Sequence, residues 1–160
     1  MELRTTPCRR GALAALALVL LPGGGAGQGK RPPAEWTTKG TITLGATVQD
    51  SLAKRDLLLR AESTYAQQWK LAGTAGQTVT IDLASDAFDG YVFLLGWDFP
   101  GEWPQDDDSG GHCNARLTVR LPATGDYYIL VTSTDKLKTG PFTLSVTAGP
   151  KPKSLARCDR

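Results

Sequence analysis

The chain has 160 residues, 41% hydrophobic and 21% charged, with 18 basic and 16 acidic side chains, which is the composition of one ordinary globular domain. Three of the basic residues, Arg4, Arg9 and Arg10, stand with Glu2 and Cys8 at the extreme N-terminus; without residues 1–26, 15 acidic side chains face 15 basic ones. A neutral domain with no concentrated basic face offers nothing to neutralise phosphates, so nucleic acid is excluded as a partner.

The first ten residues are basic, and Gly11 to Leu21 is an uninterrupted apolar run rich in Ala and Leu. Eleven residues are too few to span a bilayer, which takes about 20. Pro22 and Gly23 to Gly25 then break any helix, and Ala26 supplies the small residue that signal peptidase accepts. Residues 1–26 are therefore expected to form a secretory signal peptide, cut after Ala26 and exporting the chain to the periplasm or the medium. An uncleaved anchor is the alternative and the only route to a membrane. No lipid-attachment cysteine follows the run. Residues 27–35 are rich in Gly, Pro and Lys and read as a linker.

From Trp36 onward the pattern is that of strands, with apolar side chains alternating with polar ones. The segments are Thr37 to Leu44, Thr64 to Ala72, Thr78 to Leu83, Asp89 to Trp97, Arg116 to Leu121, Asp126 to Thr132 and Pro141 to Val146. Val79, Ile81 and Leu83 define one buried face; Leu117, Val119 and Leu121, then Tyr127, Ile129 and Val131, then Phe142, Leu144 and Val146 define others. Asp50 to Glu62 is read as strand or loop, although Asp50 or Ser51 has the chemistry to cap a short helix. Turns fall at Gly73 to Gly76, Ala123 to Asp126 and Thr139 to Pro141, with Gly76 and Gly125 expected to take positive φ. About seven to eight short strands without a long amphipathic helix predict an all-β, two-sheet antiparallel sandwich over residues 36–148. Residues 149–160 then form a basic, extended C-terminal tail.

Three features carry candidate chemistry. Cys113 and Cys158 remain after export and are expected to pair in an oxidising compartment, two free thiols being the alternative. Asp106, Asp107 and Asp108, with Asn114 and two glycines nearby, offer oxygens to calcium, although such a run is more commonly a solvated turn; Asp89 and Asp98 are possible helpers. Tyr91, Trp97, Phe99 and Trp103 lie in or beside a Gly- and Pro-containing loop, where rings serve either as a binding surface or as a cap on the open end of the sandwich. Tyr91, Phe93 and Leu95 also make the second face of their strand apolar, so that strand is either buried on both sides or part of a contact surface.

Asp108-Ser109-Gly110 invites comparison with the nucleophile loop of serine proteases, but the chain's one histidine, His112, is only three residues from Ser109. A nucleophile and its base normally approach from separate elements, so a small hydrolase is the least favoured of the functions considered.

The order of these pieces resembles the bacterial pre-peptidase C-terminal domain, a jelly-roll-like sandwich appended to many secreted proteases. The matching segments are Ala75 to Ile81, Phe88 to Tyr91, Asp106 to Gly111 followed by Asn114 to Leu117, Leu121 to Tyr127, and Gly140 to Leu144. The resemblance implies a non-catalytic binding or accessory module with no required cofactor, whose partner is an extracellular polymer, a surface structure or a secreted protease. A structural or folding aid to a secreted enzyme is the alternative. Family members that bind calcium and collagen carry a Glu/Asn-rich segment before the first strand, whereas Pro32 to Trp36 holds the single carboxylate Glu35, which puts both properties in doubt here.

Overall fold

A computed structural model describes residues 36–159; the segments expected to form a signal peptide (1–26) and a linker (27–35, Glu35 included) lie outside the described residues. Ten strands make up the described chain: β1 (Thr38–Thr41), β2 (Thr47–Leu52), β3 (Leu57–Leu59), β4 (Thr64–Gly73), β5 (Thr78–Ala84), β6 (Gly90–Leu95), β7 (Gln105–Asp106), β8 (Ala115–Arg120), β9 (Gly125–Ser133) and β10 (Gly140–Ala148). They form two facing layers. A six-stranded sheet runs β1-β4-β9-β6-β7 with β3 also on β4, and a four-stranded sheet runs β2-β10-β5-β8.

The expected sandwich is present with more strands than the alternation alone marks. The region 50–62 contributes the end of β2 and the three-residue β3, and β7 has two residues, too short for any period to register. Pairing is antiparallel except at one edge, where β1 lies parallel to β4. The first strand is also shorter than Thr37 to Leu44: after Thr41 the chain buries Ile42, whose N–H still bonds to Lys70 C=O, and then turns at Leu44 and Gly45.

Between the layers, Ile81, Leu83, Val92, Leu94, Ile129, Val131, Leu144 and Val146 are fully buried. These are alternate positions of central strands, so a one-residue slip in any register would expose a whole row. Gly76 takes φ 77° in the β4–β5 turn, as that turn requires. Gly125 does not: it opens β9 as a strand residue opposite Gly73.

Tyr127 closes one end of the core. Its ring is 2% exposed, packs on Phe99 at 5.7 Å between centroids, and its hydroxyl donates to Ala123 C=O at 2.7 Å while lying 3.1 Å from Ala123 N–H. A Cβ at Gly96 would sit 2.7 Å from that ring, so the glycine makes room for the tyrosine. The hydroxyl thus ties the β8–β9 turn to the strand that follows it.

Residues 149–159 are extended as expected but are bound down rather than free. Thr80 Oγ1 donates to Gly149 C=O, Lys151 reaches Asp82 at 2.6 Å, Arg116 donates to Pro152 C=O at 2.9 Å and Ser154 N–H bonds to Ser109 C=O at 2.8 Å. Thr80, Asp82 and Arg116 alternate with the core positions Ile81, Leu83 and Leu117, so the tail is a strap across the outer face of β5 and β8.

Candidate functional site

The strap ends where Cys158 bonds to Cys113, with the two Cα atoms 4.5 Å apart and a sequence separation of 45. The disulfide fits an oxidising compartment. Cys113 is buried and sits on an unusual stretch of backbone: Gly111, His112 and Cys113 take φ values of 81°, 54° and 62° in succession. L-residues other than glycine seldom adopt this left-handed conformation. His112 is exposed there, and Ser109, on the same turn, donates its N–H to Asp106.

The acidic turn does not present its oxygens as a set. Asp106 Oδ1 accepts from the N–H groups of Ser109 and Arg116, both at 2.9 Å, and Asn114 Oδ1 accepts from Ser85 N–H at 3.0 Å. Those two side chains hold backbone in place, whereas Asp107 and Asp108 are exposed. A different carboxylate feels them. Asp89 is held above the usual carboxylate range by burial, against a hydrogen bond from Thr134, and the charges of Asp108, Asp135 and Asp107 add to the rise. Its Oδ1 is buried without a hydrogen-bond partner.

The aromatic residues of the β6 region separate into three places. Phe99, 7% exposed, belongs to the core against Tyr127 and not to a contact surface, because the loop folds back over the end of the sandwich. Trp97 is 44% exposed and lines a small recess with Asp98 and the Ala123–Tyr127 turn. Tyr91 and Trp103 come together elsewhere, on the outer face of the six-stranded sheet.

That outer face follows from the register. Phe93 lies opposite Leu130 and Tyr91 opposite Thr132, and directly opposed residues share a face. Thr64 belongs to the same face one strand further on, its hydroxyl accepting from Thr132 at 3.0 Å. Tyr91 and Phe93 rings stand 4.3 Å apart, and the Tyr91 hydroxyl donates to Gln105 at 2.7 Å. Burial, and then the charges of Asp107, Asp106 and Glu102, hold that phenol above its ordinary range. With Trp36, Trp103 and Leu130 these rings line a cavity of about 230 Å³, edged by Glu62, Thr132 and Ser133. Beneath it Ala66, Leu95 and Leu130 form a second small cluster, separate from the main core.

Trp36 and Leu130 were not among the residues singled out from sequence as a binding surface, and Phe93 was named there only for the apolar second face of its strand. The signal was present in the apolar second face of β6, but strand pairing decides which neighbours that face meets.

Neither a family model nor a curated protein matches the sequence. Among solved structures, the pre-peptidase C-terminal domain of a collagenase from Bacillus anthracis superposes with a TM-score of 0.53 at 17% identity, covering 73% of this chain and 98% of that one. The periplasmic inhibitors of g-type lysozyme from Aeromonas hydrophila (20% identity, 71% of this chain and all of that one) and Salmonella Typhimurium (14%, 70% and all of that one) each give a TM-score of 0.47. The fold is therefore that of the pre-peptidase C-terminal domain. At these identities the likeness concerns the architecture alone.

Proposed function

We propose that the chain is an exported, non-catalytic binding module that grips sugar rings of an extracellular polymer in the groove lined by Trp36, Tyr91, Phe93 and Trp103. The observation that carries this reading is the groove itself: four aromatic side chains gathered on the outside of a sheet whose inside already has a complete core. Aromatic faces offer broad, rigid area to the apolar face of a pyranose at little entropic cost. The carboxylate of Glu62 at the margin supplies a polar contact for ring hydroxyls. A volume of about 230 Å³ is smaller than the roughly 300–1,000 Å³ of drug-sized sites and suits a single ring.

The exposed position of His112, and the spending of the Ser109 turn on backbone contacts, support a non-catalytic role. The paired cysteines support an oxidising location outside the cytoplasm.

Affinity electrophoresis through gels containing soluble polysaccharides tests the proposal. Retardation by at least one polysaccharide is expected, lost in Tyr91→Ala and Phe93→Ala and retained in Trp97→Ala. Migration unaffected by every polysaccharide, with capture by a secreted protease instead, would replace the sugar with a protein partner. Unaltered binding in the two groove variants would move the site elsewhere.

A further inference from the structure

A second site lies apart from the groove, at the end of the strap. Asp89, Cys113 and Cys158 are, among the described residues, the one group of three His, Cys, Asp or Glu side chains whose ligand atoms all lie within 4.8 Å of one another. While the disulfide holds, its sulfurs cannot carry the negative charge of the thiolate that binds metal. We infer that reduction of Cys113–Cys158 converts this cluster into a zinc site, with the two thiolates and the Asp89 carboxylate as ligands and a water completing the shell.

The ligand set suits a borderline-soft divalent cation that takes sulfur and oxygen together. Zinc–sulfur bonds of about 2.3 Å in a tetrahedral site put two sulfurs about 3.8 Å apart, inside the present 4.8 Å envelope. Asp89 Oδ2 already stands 3.7 Å from Cys158 Sγ, within reach of a cation seated beside the sulfurs, and Oδ1 of the same carboxylate is buried with no hydrogen-bond partner. The sulfurs have only to separate, and one of them has the freedom to do so. Cys158 is carried by an extended strap without secondary structure, whereas Cys113 is anchored in the buried left-handed turn.

The chemistry balances. A dithiol donates two electrons and two protons to the S–S bond, becoming a disulfide and leaving two thiols; Zn²⁺ then displaces both thiol protons. The exchange substitutes a metal clip for a covalent one, holding the strap on the sheet when the environment turns reducing.

Cobalt(II), then zinc, added to the full exported chain before and after reduction tests this. The reduced protein should bind one Co²⁺ with a thiolate-to-metal charge-transfer band that Zn²⁺ abolishes, and the oxidised protein should show no band. Cys158→Ser should lose the band, and Asp89→Asn should weaken binding by about tenfold or more, since outer-shell changes alone often cost that much. Absence of the band in reduced protein would overturn the inference, whether the reduced chain stays folded by circular dichroism or unfolds without rescue by zinc. Equal affinity in Asp89→Asn would overturn the three-ligand site.

Discussion

Replacing Tyr127 with phenylalanine isolates the contribution of one hydroxyl to closing the sandwich. The ring stays, so its packing against Phe99 and over Gly96 is preserved. What goes is the bond donated to Ala123 C=O at 2.7 Å and the one accepted from Ala123 N–H at 3.1 Å. A net hydrogen bond is worth about 1 kcal/mol, and a buried group left unpaired costs more. Ala123 is half-buried, so water replaces part of what is lost, and a destabilisation of about 1–2 kcal/mol follows. For a domain of roughly 125 residues each kcal/mol moves the midpoint by about 3–5 °C, giving a fall of about 3–10 °C. Differential scanning calorimetry of the two proteins at neutral pH measures it. A fall of less than about 1 °C would mean that the turn is held by its other contacts and that the hydroxyl is incidental.

Gly96→Ala should be as damaging as a core overpacking change, about 1–3 kcal/mol, because its Cβ would meet the Tyr127 ring at 2.7 Å and Phe99 at 3.0 Å; urea melts read the difference. Breaking the disulfide with Cys158→Ser removes a 45-residue closure worth up to about 4 kcal/mol in the chain-entropy model, and a urea midpoint unchanged from wild type would contradict it. Tyr91 predicts a pH effect of definite sign. Its folded-state pKa lies above its unfolded value, so near and above about pH 10 the unfolded chain releases the proton first and stability falls as pH rises through the raised value. Tyr91→Phe should flatten that alkaline limb in thermal melts taken across it, and an identical limb in both proteins would refute the assignment. Gln105 also loses its partner in this variant, an offset that is constant with pH and so separable from the slope.

Those residues also show what was legible beforehand. Alternation at Val79-Ile81-Leu83 and Phe142-Leu144-Val146 was sufficient to predict both the strands and their buried faces, because central strands between two layers leave no other place for such side chains. The short β3 and β7 carried no comparable signal, and β1, expected as a strand within Thr37 to Leu44, gave no sign that it would pair in parallel, since such pairing is imposed by neighbours already in place. The aromatic set was grouped by sequence proximity, which a loop need not respect. Gly96 to Pro104 sends Phe99 inward, leaves Trp97 beside the β8–β9 turn and delivers Trp103 to the far face of the sheet. Likewise the string of acids did not show that Asp106 Oδ1 and Asn114 Oδ1 accept from amide groups that only the folded turn brings near.

A two-layer sandwich has two outer faces, and this chain treats them differently. Over β5 and β8 lies a strap held by Asp82, Arg116 and a disulfide, which leaves Thr80 fully buried on the outside of its sheet. Over β4, β9 and β6 the described residues supply no such cover: Ala66, Leu95 and Leu130 are buried instead by a rim of rings that stops short of closing. Apolar area left in water is a cost that the strap solution would have removed, since each Å² of it forgoes about 25 cal/mol. Aromatic side chains that incompletely cover such a face are the arrangement in which an incoming ring gains most, because it completes a burial the fold has left unfinished. The groove rather than any end loop is therefore where occupancy by a ligand should raise the melting temperature, and a polysaccharide fragment that is retarded by the protein yet leaves its midpoint unmoved at saturating concentration would count against that site.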